Sequence, residues 1–257
     1  MIPLPKNEIT PHLRALFDVD FPAGVRCQAV LNGDFPGTLY TDDPANPTWG
    51  VVHETVYGTF YPVGQITAPL LAEWVGRFRR EGEVLVGLWP DDPLFDLMPP
   101  GVVYDGRVFD YTDRPVGQGL EKFLSPVPEA CTLQRVTLDN YARSADYESH
   151  MRFFGTPEHA LAHLIAYFLM HGEDVVCEAN AMRLLPDLME VGVATAEDFQ
   201  GRGYATLTCA HVIQACEAAG CATYWNCNAQ NLPSVALARK LGYRRERLYR
   251  LLAWEPQ

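Results

Sequence analysis

Val191-Gly192-Val193-Ala194-Thr195-Ala196-Glu197-Asp198-Phe199-Gln200-Gly201-Arg202-Gly203-Tyr204-Ala205 is the stretch that decides how this chain reads. A strand runs into a loop with two closely spaced glycines, and the loop opens an apolar helix. Glycine in such a loop lets the backbone come close to a ligand. The first N–H groups of a helix have no internal acceptor, and the helix dipole favours an anion beside them. Strand, glycine loop and helix N-terminus together make a phosphate cradle. Taken alone, the stretch is equally well explained as a tight strand-to-helix turn that binds nothing.

Two common phosphate motifs do not fit. A nucleoside-triphosphate loop ends in Gly-Lys-Ser/Thr, whereas Gly203 is followed by Tyr204 and Ala205. A dinucleotide fold needs G-x-G-x-x-G and an acid about 20 residues further on. Here Gly203 is followed by Thr206 in the third-glycine position, and the next strand ends in Asn226 and Asn228.

A second motif lies downstream: Asn228-Ala-Gln-Asn231-Leu-Pro-Ser234-Val-Ala-Leu237-Ala-Arg-Lys-Leu-Gly242-Tyr243. Gln200-Gly201-Arg202-Gly203-Tyr204-Ala205 resembles the Q/R-x-x-G-x-G/A signature of the GNAT superfamily of CoA-dependent N-acyltransferases, and the downstream stretch resembles that superfamily's Asn-to-Gly-aromatic motif. Order and separation both match, and the resemblance covers about residues 131–257. Smaller pieces are similar to the bacterial zwittermicin-resistance subfamily, namely Val176-Cys-Glu-Ala179, Glu190-Val-Gly-Val193, Gly203-Tyr-Ala-Thr206, Trp225-Asn-Cys227 and Ser234-Val-Ala-Leu-Ala238. The N-terminal half carries a weak pattern around Gly37 to Pro47, that of a degenerate copy of the same fold.

The resemblance implies an α/β fold with a mixed, splayed sheet in the C-terminal half and acetyl-CoA as co-substrate. A bulged strand would offer amides of Val193, Ala194 and Thr195 to the pantetheine arm. The pyrophosphate would lie on Gln200, Gly201, Arg202, Gly203, Tyr204, Ala205 and Thr206. Asn231 would neighbour the CoA arm, with Ser234 a turn further on. Glu190, at the start of the strand, and Glu178, on the strand before it, are the candidate bases. Each is equally an exposed or ion-paired strand carboxylate. Many superfamily members carry a tyrosine seven residues after the second-motif Asn, thought to protonate the leaving thiolate. Ala238 stands there, leaving Tyr243, Tyr224 or water to donate the proton, or no acid to be needed, since a thiolate is a tolerable leaving group at neutral pH.

Composition limits the rest. The 257 residues carry a net charge of −12, and residues 1–130 hold 18 acids against 9 bases. No basic footprint for nucleic acid is present in the whole, and no apolar run approaches the ~20 residues of a membrane span. The stretch MIPLPKNEIT has no basic segment leading into an apolar one, so no signal peptide is expected. Seven cysteines, an odd number without C-x-x-C, read as reduced thiols of a cytoplasmic protein. His159 and His163 have helical ligand spacing, but Ala160 replaces the glutamate of H-E-x-x-H, so no metal is expected. The bases Arg239, Lys240, Arg244, Arg245, Arg247 and Arg250 read first as a solvated helix end and second as partners for the CoA 3′-phosphate.

Ser125-Pro126-Val127-Pro128-Glu129 reads as a linker, giving an N-terminal α/β domain over 1–129 and a transferase domain over 130–257. Cys27–Leu31, Val51–Tyr61 and Val84–Leu88 read as strands, Val102–Tyr111 as a strand pair or extended segment, and Ile66–Arg80 as a helix. In the second domain, Pro157–His163 reads as a helix capped by Thr156. Ile165–Met170, Val175–Met182 and Leu188–Thr195 read as strands. Thr206–Ala219, closed by Gly220, and Ser234–Leu241, closed by Gly242, read as helices between the strands Ala222–Cys227 and Leu248–Trp254. The acidic first domain would shape a site for a small cationic amine. Two other readings keep the CoA cleft: a different acyl-CoA donor, or a CoA-binding sensor without chemistry. Oligomeric state is not encoded legibly.

Overall fold

The computed structural model describes residues 2–18, 20–111, 114–124 and 126–257, so Met1 of the N-terminal stretch and Ser125 of the expected linker lie outside the described residues. The chain divides into two compact units. The first holds residues 1–110 with 228–230 and 247–257, and the second holds 111–227 with 231–246. The division therefore falls after Asp110 rather than near Glu129. The proline-rich stretch was a misleading guide because it leads into a strand of the same unit.

The first unit contains β1 (Ile2–Leu4), α1 (Pro11–Ala15), α2 (Gly24–Asn32), β2 (Gly37–Thr41), β3 (Trp49–Glu54), β4 (Thr59–Gly64), α3 (Ala68–Phe78), β5 (Val84–Leu88) and β6 (Tyr104–Tyr111). Strands β1 to β4 pair antiparallel in chain order, and β4 then pairs parallel with β5. Helix α3 buries Leu71, Trp74, Val75 and Phe78 against Val51, Phe60, Val86 and Leu88. Full burial of each such side chain contributes about 1.5–3 kcal/mol. Cys27–Leu31, read as a strand, is helical. Seven of the nine residues of α2 are buried, so no polar stripe marks its period, and its Val, Cys and Leu content mimics a buried strand.

The second unit contains β7 (Cys131–Arg135), α4 (Tyr147–Phe154), α5 (Pro157–His163), β8 (Leu164–His171), β9 (Asp174–Leu185), β10 (Leu188–Thr195), α6 (Tyr204–Ala218), β11 (Ala222–Asn228) and α7 (Leu232–Lys240). Strands β7 to β10 pair antiparallel in chain order, and β10 pairs parallel with β11. Thr156 caps α5 by accepting from His159 N at 3.2 Å. Gly220 (φ +77°) and Gly242 (φ +100°) follow α6 and α7 in the left-handed region, as their positions imply. The last strand, β12 (Glu246–Trp254), leaves this unit's sequence order and pairs antiparallel with β5 in the first unit's sheet.

The two halves of the sequence share one succession of elements: strand, two short helices, three antiparallel strands, a helix, a parallel strand, a helical segment and a strand, which is β6 in the first half and β12 in the second. In the first unit the helical segment is the 3-10 turn Pro93–Leu97. The stretch Gly37 to Pro47 covers β2 and the turn after it. The likeness between the halves is thus carried by element order over the whole unit, not by that stretch.

Candidate active site

In the second unit β10 and β11 stay together for only three pairs, ending at Glu190 and Tyr224. On its other side β10 remains paired with β9 to Thr195 and Cys177. The edge of β10 facing β11 is therefore left without a strand partner from Val191 onward. The register irregularity lies at Leu188 and Met189, not at Val193–Thr195 where a bulge was expected. Divergence of the two strands, rather than a bulge, opens this edge.

A cleft of about 630 Å³ lies here, lined from Val193 and Thr195 through the glycine loop to α7. Gly203 (φ +83°) precedes α6, which has no side-chain cap. A Cβ at Gly201 or Gly203 would meet no atom within 4 Å. Their positive φ values need glycine, and the space in front of them is open. Phe199 N donates to Ala196 O at 2.9 Å, and Gln200 Nε2 donates to Thr195 O at 3.2 Å. These bonds tie the loop to itself and leave the N-terminal amides of α6 facing the cleft. A helix N-terminus of this kind favours an anion.

Of the twelve residues expected to hold the cofactor, Val193, Thr195, Gln200, Gly201, Gly203, Tyr204, Ala205, Thr206, Asn231 and Ser234 line this one cleft. Ala194 and Arg202 do not. Ala194 points to the other face of the sheet by strand alternation. Arg202 folds back, its Nη2 donating to Asp198 O at 2.9 Å and its guanidinium lying 4.9 Å from the Phe199 ring centre. Asn231 also has a structural duty: its Oδ1 accepts from Ser234 N at 3.2 Å and caps α7. Ser234 Oγ accepts from the indole N–H of Trp225 at 3.2 Å.

Sequence reasoning missed Phe199, Pro233, Ala236 and Leu237 as lining residues and gave Lys240 second place as a CoA partner. The signal was there for α7, where Pro233, Ala236, Leu237 and Lys240 fall on one helical face. Arg239 is held by Glu246 at 2.6 and 2.8 Å, and Arg250 by Asp105 at 2.6 Å on both oxygens. Lys240 is the base of that cluster that reaches the cleft.

The opposite face of the sheet carries both candidate carboxylates. Register places Glu190, Gly192 and Ala194 across from Met182, Asn180 and Glu178, all on this face. Glu178 and Glu190 are thus four residues apart along the ladder, about 13 Å, and do not act as a pair. Both Glu178 oxygens are engaged, one by the Ser144 hydroxyl and the other by Ala145 N at 2.9 Å. Burial raises its carboxyl above the usual range, and those two bonds oppose the rise. Asn180 Nδ2 donates to Asp146 Oδ2 at 3.4 Å.

Position 238 is fully buried, so a side chain there faces the core side of α7. Tyr243, a substitute proton donor, is buried, and its hydroxyl donates to Thr223 Oγ1 at 2.8 Å. Burial pushes that phenol well up, so it stays protonated and removed from the cleft. His159 Nδ1 lies 2.9 Å from Phe154 O, and the His163 ring stacks on Phe154. The seven cysteines are free and buried. Among the described residues no helix is long and apolar enough to cross a membrane.

A family model described as GNAT acetyltransferase matches residues 101–252. The chain is 22% identical over 244 residues to the "Uncharacterized N-acetyltransferase YdfB" of Bacillus subtilis, covering 90% of each. Its fold is similar to that of a GCN5-related N-acetyltransferase-like protein from Streptococcus suis, at TM-score 0.74 and 22% identity, over 98% of this chain and 100% of that one. A tandem GNAT protein from the clavulanic acid biosynthesis pathway is similar at TM-score 0.62 and 12% identity, over 99% and 97%.

Proposed function

Because this chain belongs to the GNAT acetyltransferase family, we propose that it moves the acetyl group of acetyl-CoA to a primary amine of a small molecule by direct attack. The observation that carries this is the cleft itself, where the open edge of β10 meets the uncapped N-terminus of α6. The edge suits the amides of a pantetheine arm, and the glycine loop suits a pyrophosphate. Lys240 on the cleft wall supplies a cation for the nucleotide phosphates.

A thioester is already activated, so holding the amine in line supplies much of the rate. The amine must give up a proton, and Glu190 is the carboxylate next to the point where β10 and β11 part. Glu178 serves to anchor the segment leading into α4, since both its oxygens are engaged. The departing thiolate is a tolerable leaving group at neutral pH and takes its proton from water. An acidic chain of net charge −12 suits a cationic acceptor. Seven free buried thiols suit the reducing cytoplasm.

The test is calorimetric titration with acetyl-CoA, followed by an amine panel. Gly203→Glu places a side chain and a negative charge in the open space before α6 and should abolish saturable binding. Binding indifferent to that change would move the donor elsewhere. A second reading, CoA sensing without transfer, is favoured by Ala238 in the tyrosine position. It requires CoA binding with no acetylated product from any amine. Turnover across a panel of acyl donors decides between acetyl and other acyl groups.

A further inference from the structure

The first unit has a pocket where its succession of elements places a counterpart of the donor cleft. It holds about 450 Å³ and is lined by the end of β4, the connection into α3 and the turn Pro93–Leu97. In the second unit the same positions, the end of β10, the connection into α6 and α7, form the cleft described above. The strands also part alike. Parallel pairing ends at Phe60 and Val86 in one unit and at Glu190 and Tyr224 in the other.

Each feature that would receive a CoA has been replaced. Pro62 stands two residues past the parting, where β10 has Gly192. A proline inside a paired strand must turn its nitrogen away from the ladder, so the missing N–H is on the edge facing the gap. The connection from β4 to α3 is three residues, against eight from β10 to α6. Two of its three amides are spent internally, Gln65 N on Thr48 O at 2.9 Å and Ile66 N on Gly64 O at 3.1 Å. Pro69 removes a further N–H from the first turn of α3.

Gly64 makes the sharpest contrast. A Cβ there would lie 2.5 Å from Thr48 O, so the protein's own backbone requires this glycine. Gly201 and Gly203 face open space instead. Charge has also reversed. Among the described residues the pocket wall carries the Asp92 carboxylate and no lysine or arginine, whereas the cleft wall carries Lys240 and no acid. The remaining wall is largely apolar, with Val63, Ile66, Trp89 and Leu94. A pyrophosphate brought here would meet a carboxylate and two prolines, with the amides of Gln65 and Ile66 already bonded.

We propose that the chain is an internally duplicated transferase whose first copy has lost its donor site, so that each chain loads one CoA, in the second unit. This rests on the donor reading given above. The probe is CoA itself, measured by calorimetry and by native mass spectrometry of the full chain. The wild type should bind one CoA per chain. Gly203→Glu should bind none, with affinity reduced at least ~100-fold. Lys240→Glu, on the exposed last turn of α7, should weaken binding about tenfold, which keeps the test open if Gly203→Glu fails to fold. Val63→Trp, which fills the first-unit pocket, should leave affinity within about twofold. Two CoA molecules per chain would overturn the proposal. So would one CoA retained by Gly203→Glu or lost from a folded Val63→Trp. A wild type that binds no CoA at millimolar concentration would overturn the donor reading and this inference with it.

Discussion

Glu178 stands directly opposite Ala194 across the β9–β10 ladder, on the face turned away from the side chains of Val193 and Thr195. Its two oxygens hold Ser144 and Ala145, the residues that lead into α4. A carboxylate so placed is first a structural anchor. Glu178→Gln turns an amide donor toward one of two existing donors. It should cost about 1–3 kcal/mol in a urea melt and leave CoA affinity unchanged. Glu190→Gln should lower kcat by about 10²–10⁴-fold. Loss of kcat without loss of stability in Glu178→Gln would transfer the base to Glu178.

Asn231 tests whether the second motif acts through α7 or through direct contact. As the N-cap it accepts from Ser234 N, and replacing such a cap by alanine costs about 1 kcal/mol. Asn231→Asp caps equally well but adds a negative charge to the cleft wall. Thermal melts should therefore show a loss for Asn231→Ala and none for Asn231→Asp. Donor titration should show weakening for both, and more for the aspartate. Equal donor affinity for the wild type and Asn231→Asp would limit the residue to its capping duty.

These assignments also show which parts of the fold are local in sequence. Strand β10 was legible to the residue, and α6, β11 and α7 to within about two. Their apolar runs are bounded by glycines whose positive φ is a local property. The ten lining residues were legible because the loop motif and the cap motif each occupy one short stretch. Helix α2 was not, since burial on nearly all sides erases the period that marks a helix. The amphipathic α4 was overlooked, and so were β2 and β7, which are five residues each. The pairing of β12 with β5 joins Arg250 to Leu88, and no local pattern encodes a partner so distant. Lys240 needed the three-dimensional face of α7 before it could be separated from its charged neighbours.

Gly203 and Gly242 separate backbone strain from ligand contact. Both have positive φ and both have open space where a Cβ would go. Alanine at either should cost about 1 kcal/mol. Only Gly203 lies on the cleft wall. Gly203→Ala should thus lower both thermal stability and CoA affinity, and Gly242→Ala stability alone. Paired melts and titrations check this. A matching loss of affinity in Gly242→Ala would mean that strain, transmitted through the helices, accounts for both.

His53 should give the first unit a measurable acid sensitivity. Its ring stacks on Phe60, its cross-strand partner, with centroids 3.9 Å apart and planes 9° from parallel. Burial pushes the imidazole down from 6.5 to about 4. The unfolded chain binds this proton near pH 6.5, and the folded chain only near pH 4. Between those values the unfolded state holds more protons, so stability falls as pH is lowered through that window. The shift corresponds to about 3 kcal/mol once the pH is below both values. Burial also pushes His150 and His211 down, so the difference between wild type and a variant is the quantity to measure. His53→Phe keeps an aromatic ring against Phe60 and removes the titration. Urea melts at pH 7.5 and pH 5 should show the variant gaining on the wild type as the pH falls. A stability difference that is the same at both pH values would remove His53 from the acid response.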